Sequence, residues 1–568
     1  MDKALKTFFN FRSEMNKILP FLLLIVFAFL ILYPIFLLLV FSFLTSQIGS
    51  GTEWGLDNWF AILHEPQIQK AIVNTLLLTM AKQAIAFLIG IPIAWLIART
   101  NLPGRNWLEF GFWISFFLPI LPVTMGWVML MDGQSGLLNQ LLMKLPFVNG
   151  PVFEIFSWWG IVFAHLAGGT IAAKIMLLTP AFRNMDSSLE EAAYATGANH
   201  LQTFFRVIFP VMAPAVLMVV LLTTIRSLES FEVELFLGGP TNIDVYSTLI
   251  YRFIQSEQPE YGIATVLSIL VLIVLVPFIL LHQWLSLKDN HTTVTGKFKS
   301  TIKDLGSWRW PLFGLIAFLL IFTTVVPVVL TVLGSVMKLF GQFSISNPFT
   351  LTHWKKAFDN SLFMSSFANT LIIGISAALL GMFLFSVIAY VSVKTKFKGR
   401  KSLDYLTWLP STIPGIVLGL GVFWVFLTTP GIKMLYGTHL ILILAIIMAC
   451  ITLSVQTVKS NMVQLGNELE EAGRACGASW LYTFRKVILP LVAPAVAVVG
   501  LYIFAAAART ASLVALLQTA DTKPLSMLQL DYLGGGSFEL GSVIGVVILF
   551  LTIGVAFIAR IFGLKIRS

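Results

Sequence analysis

The sequence predicts an all-α polytopic membrane fold, about 12 transmembrane helices arranged as two six-helix halves, and three observations carry that reading. Hydrophobic residues fill 57% of the 568 positions and charged residues 11%, with a mean hydropathy of +0.88, far too apolar for a string of soluble domains. Twelve runs reach the roughly 20 apolar residues that a bilayer crossing needs. The stretch from Glu190 to Pro214, EEAAYATGANHLQTFFRVIFPVMAP, returns 280 residues later, from Glu470 to Pro494, as EEAGRACGASWLYTFRKVILPLVAP.

The first run, about Ile18 to Leu44, follows Lys3, Lys6, Arg12 and Lys17 as a signal peptide would. It is roughly twice the usual length of a signal core and lacks a small-residue cleavage site, so it is expected to remain as an anchor. Further runs fall at 70–98, 107–131, 158–181, 211–235, 262–287, 309–337, 366–393, 403–428, 439–458, 491–516 and 538–563. With the N-terminus placed inside, 25 of the 37 lysines and arginines lie in inner segments, which predicts cytoplasmic N- and C-termini. That placement also explains the net charge of +10 without nucleic acid. Membrane lipid is the expected surrounding, in a bacterial cell (inner) membrane.

The two halves match outside the repeated stretch. Leu56-Asp57-Asn58-Trp59 aligns with Leu351-Thr352-His353-Trp354, Asn74-Thr75-Leu76 with Asn369-Thr370-Leu371, and Gly104-Arg105 with Gly399-Arg400, all 295 apart. The offset then falls by 15, because the outer loop at 133–156 is longer than its counterpart at 430–439. Residues 1–287 are read as a first domain, 288–308 as a polar, basic cytoplasmic linker, and 309–568 as a second domain. Halves that both start inside make a parallel duplication, with a pseudo-two-fold axis along the membrane normal.

Between the fourth and fifth runs of each half lies an inner segment too polar to cross and too long for a turn. Ser187 and Ser188 can cap a helix whose first turn carries Glu190 and Glu191, favourably placed against the positive end of its dipole. Gly197 then ends or bends that helix, and Pro210 opens the next span. A short helix displayed at the inner surface suits a groove on a soluble partner. A loop helix that only covers the bilayer surface is the plainer alternative for one copy; two copies with the same spacing favour docking.

Glu191-Ala192-Ala193, Gly197 and Val207-Ile208-Phe209-Pro210, with Glu471-Ala472-Gly473, Gly477 and Val487-Ile488-Leu489-Pro490, resemble the EAA coupling loops of binding-protein-dependent ABC importer permeases of the type I fold. The chain departs from that pattern with Gly473 and Phe209. SLESFEVELFLGGP (227–240), PEYGIATVLSIL (259–270) and RTASLVALLQTADTKPLSMLQLDYL (509–533) bring it nearest to fused ferric-iron transport permeases. The resemblance implies a transport subunit that takes substrate from a periplasmic or extracellular binding protein. It implies two copies of a cytoplasmic ABC ATPase, which hold ATP and Mg, docked on Glu190, Glu191, Ala192, Gly197 and Pro210 and on Glu470, Glu471, Ala472, Gly477 and Pro490. This chain itself shows no GxxxxGK[ST] phosphate loop and no acid, base or nucleophile constellation, so no catalytic residue and no cofactor of its own are expected. Thiamine, phosphonate, polyamine and sugar phosphate share the architecture as cargoes. A secondary transporter driven by an ion gradient is the other class; its mid-membrane carboxylates are not evident, and it leaves the two inner helices unexplained.

Four basic residues fall within runs: Lys82, Lys174, Arg226 and Arg509. Lys174 is read as snorkelling to the inner surface, and Lys82 as facing protein or water. Aligning the fifth runs sets Glu229 opposite Arg509, with Arg226 and Glu232 close by. Pairing across the axis would make these four an outer gate or pathway lining; otherwise each simply reaches the outer interface. Glu229, Glu232 and Glu234 are weak candidates for hard metal ligands. His165 is read as a packing residue. Cys450 and Cys476 read as unpaired thiols.

Overall fold

The computed structural model describes residues 2–45, 53–186, 188–289, 302–395, 397–466 and 468–561. The first half runs through α1 (Asp2–Phe41), α2 (Pro66–Arg99), α3 (Arg105–Phe117), α4 (Ile120–Met131), α5 (Trp158–Arg183), α6 (Ser188–Ala195), α7 (Phe204–Leu228), α8 (Tyr246–Gln255) and α9 (Tyr261–Asp289). The second repeats the order as α10 (Gly306–Ser335), α11 (Ser361–Lys394), α12 (Arg400–Thr412), α13 (Gly415–Thr428), α14 (His439–Val463), α15 (Glu468–Ala475), α16 (Phe484–Arg509), α17 (Leu525–Gly534) and α18 (Phe538–Ile561). Among the described residues ten segments are long and apolar enough to cross alone, and 12 result when α3 with α4 and α12 with α13 each count as one. Most of the expected linker, residues 290–301, lies outside the described residues.

The third span of each half is not a straight rod, as its apolar run had suggested. α3 and α4 meet at 98°, and α12 and α13 at 113°. The breaks carry Leu118-Pro119 and Ile413-Pro414, again 295 apart. Proline removes a backbone donor and blocks helix geometry for the residue before it, so each run folds back at the same place. The second arms are buried on every side, from Leu121 to Met129 and from Ile416 to Phe426. Helices this uniformly apolar belong in the centre of a bundle.

Each of those central arms receives the first helix of the other half. A Cβ on Gly421 in α13 would press on Pro34 and Leu38 of α1, and one on Gly126 in α4 would collide with the backbone of Pro327 in α10. The helices approach too closely for any side chain at Gly126 and leave only a tight fit at Gly421. Thr331 Oγ1 donates to Pro122 O at 2.6 Å, and Phe41 stacks on Trp424 with ring centroids 4.1 Å apart. The halves therefore interlock by exchanged arms. Large apolar side chains such as Leu88, Phe318 and Phe383 point outward, as a lipid-facing surface requires.

The aligned Asn-Thr-Leu triplets have a structural reason. Asn74 Nδ2 donates to Asp244 O (3.0 Å) and Asn369 Nδ2 to Asp521 O (2.8 Å). Thr75 Oγ1 accepts from Tyr246 N (3.0 Å) and Thr370 Oγ1 from Leu525 N (2.8 Å). In both halves a polar pair on the second span pins the start of the helix that follows the fifth span. Buried backbone groups need such partners where water is absent.

Candidate functional site

The repeated inner stretch folds as expected in outline. α6 and α15 are short surface helices, and in each the first glutamate is buried while the second is exposed: Glu190 and Glu470 inside, Glu191 with Ala192 and Glu471 with Ala472 outside. Glu190 Oε1 sits 2.8 Å from Arg99 Nη2 at the inner end of α2, and Arg99 Nη1 donates to Met185 O at 3.0 Å. The second half places Lys394 Nζ on Leu465 O, the equivalent carbonyl, at 2.6 Å. The buried glutamate thus roots the helix, and the second faces outward. Asp186 meets the first turn, its Oδ1 accepting from Ser188 N at 3.0 Å; the expected cap at Ser187 lies outside the described residues.

Gly197 (φ +85°) and Gly477 (φ +75°) take left-handed conformations that end the two helices. Ala198 N returns to Ala193 O (3.1 Å) and Ala478 N to Gly473 O (2.9 Å), the closing bond of a glycine-terminated helix. At Gly473 a Cβ would lie 2.9 Å from Thr483 Oγ1, yet the first half keeps Ala193 beside the equivalent Thr203, so nothing in the structure explains this departure. One π-helical turn, Phe204–Ile208 or Phe484–Ile488, then leads into Pro210 or Pro490 within the first turn of the straight helix. A π turn takes up the hydrogen bond that proline cannot donate.

A second constellation lies at membrane depth. Lys82 stands at the midpoint of α2, a helix of 34 residues. Its Nζ is 3.1 Å from Glu234 Oε1 and 3.0 Å from Ser230 Oγ. The same Glu234 oxygen takes His165 Nε2 at 2.8 Å and Ser230 Oγ at 2.6 Å. The side chains of Lys82 and Glu234 are 1% and 0% exposed, which makes this a closed cluster sealed inside the protein. His165 is therefore a hydrogen-bond partner of Glu234 and not merely a packing residue. Immediately after it, α5 breaks at Gly168 and Gly169, the latter at φ +107°.

That cluster corrects the expected depth of the carboxylates. The fifth span stops at Leu228 rather than 235, and Gln83 Nε2 donates to Thr223 O at 2.8 Å while Thr223 Oγ1 donates to Gln83 Oε1 at 3.1 Å. The end of α7 is thereby fixed beside the middle of α2, and residues 229–245 form a re-entrant connection. Arg226 is exposed on the last turn of α7, and the Glu229 N–H caps that turn on Arg226 O at 3.2 Å. Glu229 and Arg509 do not pair: among the described residues no ion pair joins them, and Arg509 Nη1 reaches Phe117 O at 3.4 Å instead. The link across the axis is Glu232, whose Oε1 accepts from Ala511 N (3.1 Å) and Ser512 N (3.2 Å). Backbone amides just past α16 take the place that the guanidinium was expected to fill.

Two further expectations change. Lys174 is buried, with Nζ 5.2 Å from the centroid of the Phe87 ring, so it packs against α2 and does not snorkel. Glu234 is committed to three donors on one oxygen, which removes it from any open ligand set. Among the described residues no group of three or more His, Cys, Asp or Glu could hold a metal ion. Cys450 is a buried thiol and Cys476 an exposed one.

Residues 90–288 and 382–568 both match the family described as the binding-protein-dependent transport system inner membrane component. The chain belongs to that family. This ABC importer permease is 30% identical over 516 residues to a putative ferric transport system permease protein of Haemophilus influenzae, an alignment covering 88% of this chain and 78% of that one. It is 28% identical over 542 residues to a ferric transport system permease protein of Actinobacillus pleuropneumoniae, covering 93% and 75%. A bacterial ABC transporter involved in import of the acidic polysaccharide alginate aligns with a TM-score of 0.40 and 21% identity, over 51% of this chain and 98% of that chain. The permease is a multi-pass inner-membrane transport subunit and not an enzyme, and its two family segments are fused in one chain.

Proposed function

We propose that this permease imports ferric iron delivered by an external binding protein, driven by two copies of a separate ATPase that hold ATP and Mg and dock on the inner face. The observation that carries the cargo assignment is similarity over most of the chain to two ferric transport permeases. The drive assignment is supported by the matched exposure of Glu191 with Ala192 and Glu471 with Ala472 on rooted helices ended by Gly197 and Gly477. Docking there requires α6 and α15 to face the cytoplasm, which puts both termini on the same side. Pro210 and Pro490 would pass the pull of the ATPases into α7 and α16.

In this reading the pathway runs between the ends of α7 and α16, lined by Arg226, Glu229, Glu232 and Arg509, and the Glu232 clasp on Ala511 and Ser512 shuts it. Ferric ion is a hard cation suited to transient carboxylate contact, with tight recognition left to the binding protein. The test is reconstitution of the permease with its ATPase and binding protein in vesicles. ATP-dependent uptake of radiolabelled iron, lost without either partner, is expected. Uptake of thiamine, phosphonate, polyamine or sugar phosphate in its place would replace the cargo, and uptake driven by an ion gradient without the ATPase would overturn the drive.

A further inference from the structure

The two halves diverge most sharply at the ionic cluster. Residues equivalent to Lys82, His165, Ser230 and Glu234 by the offsets of 295 and 280 are Ala377, Ala445, Thr510 and Val514. Three charged or titratable groups in one half are thus replaced together by apolar residues in the other. In the first half the re-entrant connection is held to α2 and α5 by Glu234, buried with three donors on one oxygen. In the second half the matching segment after Arg509 has no ion pair to α11 or α14 among the described residues; what it shares with the first are neutral anchors, Asn369 Nδ2 on Asp521 O (2.8 Å), matching Asn74 Nδ2 on Asp244 O (3.0 Å), and Ser526 Oγ on Thr510 O (2.9 Å), matching Ser247 Oγ on Ser230 O (2.5 Å). Two residues before Glu234, Glu232 reaches across to Ala511 and Ser512.

We propose that Lys82, His165, Ser230 and Glu234 are positioning residues that make the first re-entrant segment a fixed stator, and that the permease opens by withdrawal of residues 510–524 of the second half from Glu232. This rests on the import reading above, and it adds that identical drive at two coupling helices produces unequal movement at mid-membrane. The physical reason is the cost of separating the cluster. Pulling Glu234 from Lys82 and His165 in a water-free interior strands a buried charge, whereas the equivalent positions Ala377, Ala445 and Val514 carry none, and moving residues 510–524 costs only neutral hydrogen bonds such as Asn369 Nδ2 on Asp521 O. Movement therefore follows the side that loses least. Glu232 is the element the stator aims, because it lies on the same turn as Glu234 and carries the contact that must part.

The test uses the full chain reconstituted with its ATPase and binding protein in lipid nanodiscs, in a Cys450→Ala, Cys476→Ala background that retains transport. One spin-label pair joins α2 to the first re-entrant segment (Gln69→Cys with Thr241→Cys), and the equivalent pair joins α11 to the second (Met364→Cys with Asp521→Cys). Between nucleotide-free and ATP-trapped states the first distance stays constant and the second shifts by about 5 Å, the scale of a one-turn displacement. Equal shifts in both pairs would overturn the proposal, as would movement confined to the first. A second arm gives the first half the residues of the second: Lys82→Ala, His165→Ala, Glu234→Val. Its expected result is ATP hydrolysis retained, uptake reduced about tenfold or more, and a first distance that now shifts with nucleotide. If that variant fails to insert, Lys82→Met with Glu234→Leu keeps the volume. Wild-type uptake in either variant, with the first distance still constant, would exclude a positioning role. Failure of the import reading is distinguishable, since the wild-type complex would then show no ATP-dependent uptake at all.

Discussion

Lys82 Nζ and Glu234 Oε1 meet at 3.1 Å in the protein interior, halfway along α2, with both side chains buried. Removing one partner of a buried pair strands the other, which costs about 3–5 kcal/mol, while replacing both with apolar residues of like volume is close to neutral. Lys82→Met and Glu234→Leu are each expected to lower the unfolding midpoint of the detergent-solubilised chain strongly, and the double variant to regain most of the loss. A double-mutant cycle on unfolding free energy measures this; additive losses would mean that the pair does not interact.

The two glutamates of each coupling stretch should separate by phenotype. Glu190→Gln removes the carboxylate that roots α6 on Arg99, and a buried charged hydrogen bond of this kind is worth about 1.5–3 kcal/mol. Lower thermal stability of the inner face is the expected outcome, read by protease sensitivity near residue 190. Glu191→Arg leaves stability within about 0.5 kcal/mol, as surface changes do, yet the ATPase no longer co-purifies. Retention of the ATPase by both Glu191→Arg and Glu471→Arg would remove these helices from the interface.

Much of this architecture was legible in the chain. Composition and run length predict 12 crossings, and the duplicate offset of 295 marks the Asn-Thr pairs; it also relates Leu118-Pro119 to Ile413-Pro414, a signal for the two breaks that the reading of straight spans passed over. What misled was treating an apolar run as a straight crossing: the fifth run continues to residue 235, but Glu229 caps α7 and the chain turns back at mid-depth. That error put Glu232 and Glu234 at the outer surface and left Lys82 without a partner. The signal that finds the partner is also in the repeat, because Lys82 and Glu234 carry charge in one half where Ala377 and Val514 both lack it. Hydropathy sums over a window and is blind to two charges that cancel each other across 152 residues of sequence.

Gly126 and Gly421 seat the exchanged first helices, and their substitution tests whether the interlock holds the halves together. Gly126→Val or Gly421→Val forces a side chain into backbone or proline atoms, and overpacking of this kind costs about 1–3 kcal/mol or more. Both variants are expected to unfold earlier. Gly314→Val, where a Cβ meets nothing within 4 Å, is the control and should unfold with the parent.

Glu232 supplies the sharpest test of the shut pathway. Its Oε1 accepts from two backbone amides, Ala511 N and Ser512 N. Glu232→Gln keeps an acceptor oxygen but removes the charge, which roughly halves the strength of such bonds. Glu232→Ala leaves the amides open. Graded loosening is therefore expected, with basal ATP hydrolysis by the assembled complex rising from wild type to Gln to Ala while its stimulation by loaded binding protein shrinks in the same order. The ratio of stimulated to basal hydrolysis is the measurement. An alanine variant with the wild-type ratio would show that the clasp parts and closes without consequence, and that the barrier to passage lies elsewhere.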